Sequence, residues 1–177
     1  MKRPLVALEQ LSTETRQLLD VLNEESDLAC VVIGAAFLDT SLAGLLAQQL
    51  ADSSVSLKLL APSGALGSYA TRADLAYALS LVTKVHYQDL CVVGEIRNHF
   101  AHSHLQLSFQ DSSVRVLCEQ LHGWHLPGFD EAKDADASVA ECGVRARNQF
   151  NIAVTLLANR LLVNALSLKA ARASRTA

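Results

Sequence analysis

Arg97, Asn98, His99 and His102 fall within one short run, Ile96-Arg97-Asn98-His99-Phe100-Ala101-His102, which concentrates groups able to donate, accept or move protons beside apolar anchors. If the run is helical, Asn98 and His102 share a face, whereas Arg97 points about 100° away from Asn98. Arg97 and His102 therefore meet only if the helix ends near His102 or if a second chain contributes. The chemistry open to such a pair is metal-free cleavage of RNA. A helix C-terminus favours the protonated imidazole as general acid or base, while the guanidinium stabilises a pentavalent phosphate. The structural alternative pairs Arg97 with a carboxylate such as Glu95, Asp74 or Asp39, and leaves Asn98 and His102 to satisfy backbone groups at the helix end and in the following turn. We adopt the structural alternative and assign no catalytic residue; Arg97, Asn98 and His102 are the ones that would carry catalysis.

Two further constellations bear on chemistry. The loop Pro62-Ser63-Gly64-Ala65-Leu66-Gly67-Ser68 leads into a helix, an arrangement that can aim backbone N–H groups at an anion, but it lacks the Lys of a Walker motif. It reads as a tight turn that lets Tyr69 and Arg72 pack. The histidines 99, 102, 104, 122 and 125 with Cys118 raise zinc, yet their spacing matches no standard finger, so no metal and no cofactor are expected. No Gly-x-Ser-x-Gly or other nucleophile signature is present.

Three separated blocks carry a family resemblance: Val32-Ile33-Gly34-Ala35-Ala36-Phe37-Leu38-Asp39, the stretch from Pro62 to Leu79 with Tyr69, Arg72 and Asp74, and Ile96 to Ser103. In order and spacing they resemble the bacterial mannitol operon repressor family, over roughly residues 10 to 165. The resemblance implies a helical cytoplasmic regulator of a carbohydrate operon such as mannitol utilisation, with no obvious DNA-binding motif, and it marks Tyr69, Arg72, Asp74, Arg97, Asn98 and His102 as binding or motif residues. The Arg-x4-His spacing from Arg97 to His102 also resembles the signature of the helical HEPN superfamily, some of whose members are ribonucleases. It implies a metal-independent ribonuclease as the alternative.

The elements that must position these residues are helices. At 177 residues and 50% hydrophobic composition, the chain suits one domain with a real core. The expected architecture is a single all-α domain, a multihelix bundle with a core at about 10–168 and a basic tail at 169–177. Its longest apolar run, Leu28 to Leu38, is too short to span a bilayer, and Met1-Lys2-Arg3-Pro4 opens no signal-peptide core, so a cytoplasmic protein is expected. Four scattered cysteines indicate no disulfide framework. Charge is uneven. Residues 142–177 hold 6 Lys and Arg and no acid, whereas all 18 acids lie before them. The favoured reading is that the basic segment docks on its own acidic body or on a twin's, and that DNA contact is weak or indirect. A protein partner and a homodimer are expected.

Periodicity predicts a short helix at Thr13–Leu22 and a long one at Leu28–Leu50 with Ala29, Val32, Ile33, Ala36, Phe37, Leu42, Leu45, Leu46 and Gln49 facing inward. A connection follows at Ala51–Ala70, then a helix capped by Thr71 with Asp74 and carrying Leu75, Ala78, Leu79 and Val82 inward. Tyr87–His102 is the next helix, with Leu90, Val93, Ile96 or Arg97, and Phe100 on its stripe. A short extended piece at Leu105–Phe109, a helix at Asp111–Leu121, a loop at His122–Ala140 and a last helix from Val139, fraying after Lys169, complete the reading. That last helix should bury Phe150, Val154, Leu157, Leu161, Ala165 and Leu168.

Overall fold

The computed structural model describes residues 13–103, 107–122 and 138–176. Among these, seven helices and no strand occur: α1 (Thr13–Glu24), α2 (Asp27–Gln49), α3 (Ser54–Leu60), α4 (Tyr69–Ala78), α5 (Lys84–His102), α6 (Ser112–Cys118) and α7 (Val139–Thr176). The all-α, single-domain expectation holds. Of the extended piece expected at Leu105–Phe109, Leu105 and Gln106 lie outside the described residues, whereas Leu107 and Ser108 are irregular and Phe109 is in a turn; the loop at His122–Ala140 lies largely outside the described residues.

The centre of the bundle is the pair α2 and α7, which run parallel: Cys30 meets Asn151 near one end, and Leu50 accepts from Arg172 near the other. Gly34 permits this approach, since a Cβ there would lie 3.3 Å from the side chains of both Phe150 and Val154. The stripe expected for α7 is buried from Phe150 through Leu161 and half-buried at Ala165 and Leu168. Phe150 also closes a tilted aromatic chain with Phe109 and Phe100, at centroid distances of 5.6 and 5.9 Å. Both α2 and α7 are long and apolar enough to cross a membrane by length and composition. In this fold those apolar residues supply the core.

The inward face of α2 differs from the expected one. Cys30, Val31, Gly34, Ala35 and Leu38 are buried, followed by Leu42, Leu45 and Leu46 as expected, while Val32, Ala36 and Gln49 face solvent. From Leu28 to Leu38 every residue is apolar or Gly, so periodicity could not choose a face there. Helix α4 starts earlier than expected, with Ser68 rather than Thr71 as cap: Ser68 Oγ accepts from Thr71 N at 3.1 Å. Its buried residues are Arg72, Ala73 and Ala76, and Leu79 lies outside the helix and exposed. Helix α3 was not anticipated within the Ala51–Ala70 connection. Ser138 and Glu141 form a reciprocal capping box at the start of α7, with Ser138 N donating to Glu141 Oε2 at 2.7 Å and Glu141 N to Ser138 Oγ at 3.3 Å. At its far end α7 continues through the alanine-rich stretch after Lys169, whose helix propensity is high.

A polar junction ties α1, α2 and α7. Arg147 Nη1 donates to Asp27 Oδ1 at 2.9 Å, and Nη2 reaches the carbonyls of Leu22, Asn23 and Glu25, so a cation satisfies acceptors at the C-terminal end of α1. Asn151 donates to Asn23 Oδ1 at 2.8 Å and accepts from the Cys30 thiol at 3.1 Å. Asp27 also accepts from Phe109 N at 2.9 Å. Burial pushes the thiols of Cys30 and Cys118 up to about 12.

Candidate functional site: a groove between α2, α4 and α5

A groove of about 640 Å3 is lined by residues of α2 from Val32 to Asp39, of the loop end and α4 from Gly67 to Asp74, and of α5 from Cys91 to Asn98. It gathers Tyr69, Asp74, Arg97 and Asn98 of the expected site residues. His102, on the last turn of α5 and exposed, lies beyond the groove lining, and Arg72 lies behind it.

Arg72 is the structural arginine of this region. Its side chain is 7% exposed, with Nη1 2.7 Å from Asp39 Oδ1, Nε donating to Leu66 O at 2.8 Å and Nη2 donating to Leu60 O at 2.7 Å. It therefore joins α2 to the end of α3 and to the glycine loop. That loop is a tight turn, as expected. Three of its amides bond carbonyls of the loop or of the residues just before it, Gly64 N donating to Ala61 O, Leu66 N to Leu59 O and Gly67 N to Gly64 O, and a Cβ on Gly64 or Gly67 would lie 2.2 or 2.3 Å from a backbone carbonyl oxygen. No side chain fits at either position.

Tyr69 forms part of the wall, donating its hydroxyl to Leu90 O at 2.9 Å, and burial raises its phenol above the usual range. Its ring needs Gly94, where a Cβ would come within 3.2 Å of it. Asp74 accepts from Tyr87 Oη at 2.8 Å, and this bond raises the Tyr87 phenol. Tyr87 also stacks on Tyr77, at a centroid distance of 4.7 Å.

The expectation that Arg97 pairs with Glu95, Asp74 or Asp39 is not met. Arg97 is exposed and donates to Asn98 Oδ1 at 2.9 Å, because Asp39 is taken by Arg72 and Asp74 by Tyr87. Arg97 and His102 make no bond to each other, as the 100° step along a helix that stays regular through His102 requires. His99 bonds Ser113 Oγ at 2.9 Å, and His122 bonds the fully buried Asp89 through its amide and ring, at 2.8 and 2.9 Å. His104 and His125 lie outside the described residues. The groove thus offers an apolar floor, a rim of Glu95, Arg97 and Asn98, and the carboxylates of Asp39 and Asp74 already bonded within the chain; its described side chains present no converging acid, base and nucleophile.

Sequence reasoning missed the Arg147 junction and the Asp89–His122 pair. The one local signal for the junction is the run of polar residues Asn151, Thr155 and Asn159 recurring at four-residue spacing inside an apolar helix.

No family model and no curated protein matches the chain. Among solved structures, a chain of the MtlR–HPr complex from Escherichia coli shares the fold with a TM-score of 0.68 and 18% identity, the match covering 85% of this chain and 99% of that one. A possible transcriptional regulator, YggD from Shigella flexneri, matches with a TM-score of 0.69, 18% identity and the same coverage. The fold of this chain is that of these two structures.

Proposed function

We propose that this protein is a regulator of carbohydrate-operon transcription, such as that of mannitol utilisation, that works through a protein partner. The observation that carries the reading is the fold shared along most of the chain with MtlR, a mannitol operon regulator, and with YggD. The ordered blocks from Val32, Pro62 and Ile96 support it from the sequence side. MtlR is seen in complex with HPr, so an HPr-type protein is the first partner to test. The groove is the surface we assign to it, with Tyr69, Arg97 and Asn98 of its lining offered to the partner.

Weak DNA contact fits the placement of charge. Arg147 is spent on Asp27 and α1 carbonyls and Arg172 donates to Leu50 O, so two of the six basic residues of the segment bond back to its own body. The protein acts in the cytoplasm as a homodimer and is not an enzyme in this reading. The ribonuclease alternative draws no support from the separated Arg97 and His102. The test is titration of the purified protein with HPr from the same organism and, separately, with the presumed operator. Saturable HPr binding that Arg97→Glu weakens, beside weak and salt-sensitive DNA binding, is expected. A tight, sequence-selective, salt-resistant DNA complex formed without other proteins overturns the reading. So does RNA cleavage in EDTA that both Arg97→Ala and His102→Ala abolish.

A further inference from the structure

Gly44 sits in the interior of α2, where glycine costs about 1 kcal/mol of helix propensity relative to alanine. The other three helical glycines have a reason within the chain: Gly34 admits Phe150 and Val154, Gly94 admits Tyr69, and Gly143 admits Gln110. A Cβ on Gly44 would meet nothing within 4 Å. The cost therefore returns nothing within one copy, and the missing side chain leaves room for an approach from outside.

Gly44 belongs to an uncharged exposed stripe. Leu28 and Val32 are 52% and 45% exposed, and Ala36, Thr40, Gly44 and Ala47 continue the line at steps of four and three. The only charged residues on α2, Asp27 and Asp39, are paired with Arg147 and Arg72. The stripe is bulky at its start and small at its end. Its flanks are charged in opposite senses: exposed Asp20, Glu24 and Glu25 precede α2, whereas exposed Lys58, Lys169 and Arg172 lie near its C-terminal end, with Asp52 among them. Such a surface is complementary to itself under a twofold axis that reverses the helix, bulky half against small half and acidic end against basic end.

We infer that a second copy of this chain docks antiparallel along the exposed face of α2, with Val32 seated against Gly44 of the partner subunit and Ala36 against Thr40 of the partner subunit. The stripe is an i±4 ridge, and two such ridges interdigitate at a crossing angle of about −50°. Small residues at the crossing let the backbones approach closely. Val32 and Ala36 also line the groove, so the second copy forms part of its border. This deepens the dimeric assembly proposed above and rests on it.

The experiment is sedimentation velocity on the full chain at micromolar concentration, with thermal melts to verify folding. The wild type is expected to sediment as a dimer. Gly44→Leu and Val32→Glu, both at exposed positions, should each weaken association about a hundredfold, the scale expected for overpacking or charging a packed contact. A Gly44→Lys chain mixed with a Val32→Glu chain should recover the dimer, because the antiparallel register sets these two positions against each other. A monomeric wild type overturns both this inference and the dimeric reading, while leaving partner binding as a separate question. A dimer indifferent to Gly44→Leu and Val32→Glu overturns this surface alone, and a mixture that stays monomeric overturns the antiparallel register.

Discussion

Two regions of the molecule pair an arginine with an asparagine, and they use them in opposite ways. At the junction of α1, α2 and α7, Arg147 and Asn151 are held by partners more than a hundred residues away, and the side chain of Arg147 is 22% exposed. At the rim of the groove, Arg97 and Asn98 are exposed and bond each other. The junction closes acceptors that would otherwise be orphaned at a helix end, so it belongs to the stability of the fold. The rim residues satisfy little that the fold needs. The cluster that looks most like chemistry in the sequence is thus free to serve binding, and the cluster with no local signature holds the helices together.

The largest effect that would sharpen this contrast is at the junction. Arg147→Met should remove the donor to Asp27 Oδ1 and to the carbonyls of Asn23 and Glu25, leave Leu22 O with Asn151 alone, and lower stability by about 3 kcal/mol, read by urea denaturation. A loss below about 1 kcal/mol would break the distinction between the regions, since that is the scale of ordinary surface changes. Behind the groove wall, Arg72→Met should cost about 2 kcal/mol, because Asp39 is partly open to water and can rehydrate. The same variant should also loosen the glycine loop, seen as faster amide exchange at Leu66 and Gly67.

Thiol chemistry probes the same contrast. Cys30 at the junction and Cys118 are raised from 9.0 to about 12 by burial, and a folded-state pKa raised in this way contributes stability that is complete below the unfolded value. That contribution is lost as pH rises from about 9 through about 12, so melting temperature should fall over this window. Serine at both positions should flatten the slope. At neutral pH, Cys91 in the groove wall, partly exposed, should be alkylated while Cys30 and Cys118 stay protected; equal rates would show that the junction is not closed.

The smallest expected stability change is at the rim. Arg97→Ala should shift unfolding by less than about 0.5 kcal/mol and act on partner binding instead. A clear drop in melting temperature would return Arg97 to the structural role first expected of it.

What the sequence determined by itself is local. The all-α class, the α5 stripe of Leu90, Val93, Ile96 and Phe100, and the α7 stripe from Phe150 to Leu161 follow from apolar residues recurring at spacings of three and four. The glycine loop was legible as a turn for the same reason, because its residue types limit the backbone directly. The tertiary structure alone decided which face of α2 turns inward, since a segment apolar on all sides carries no periodic signal. It alone decided that Asp39 goes to Arg72 and not to Arg97, and that Arg147 reaches Asp27 and Leu22. Those pairings depend on where helices distant in sequence cross, and that depends on shapes such as the hollow at Gly34, for which spacing along the chain carries no information.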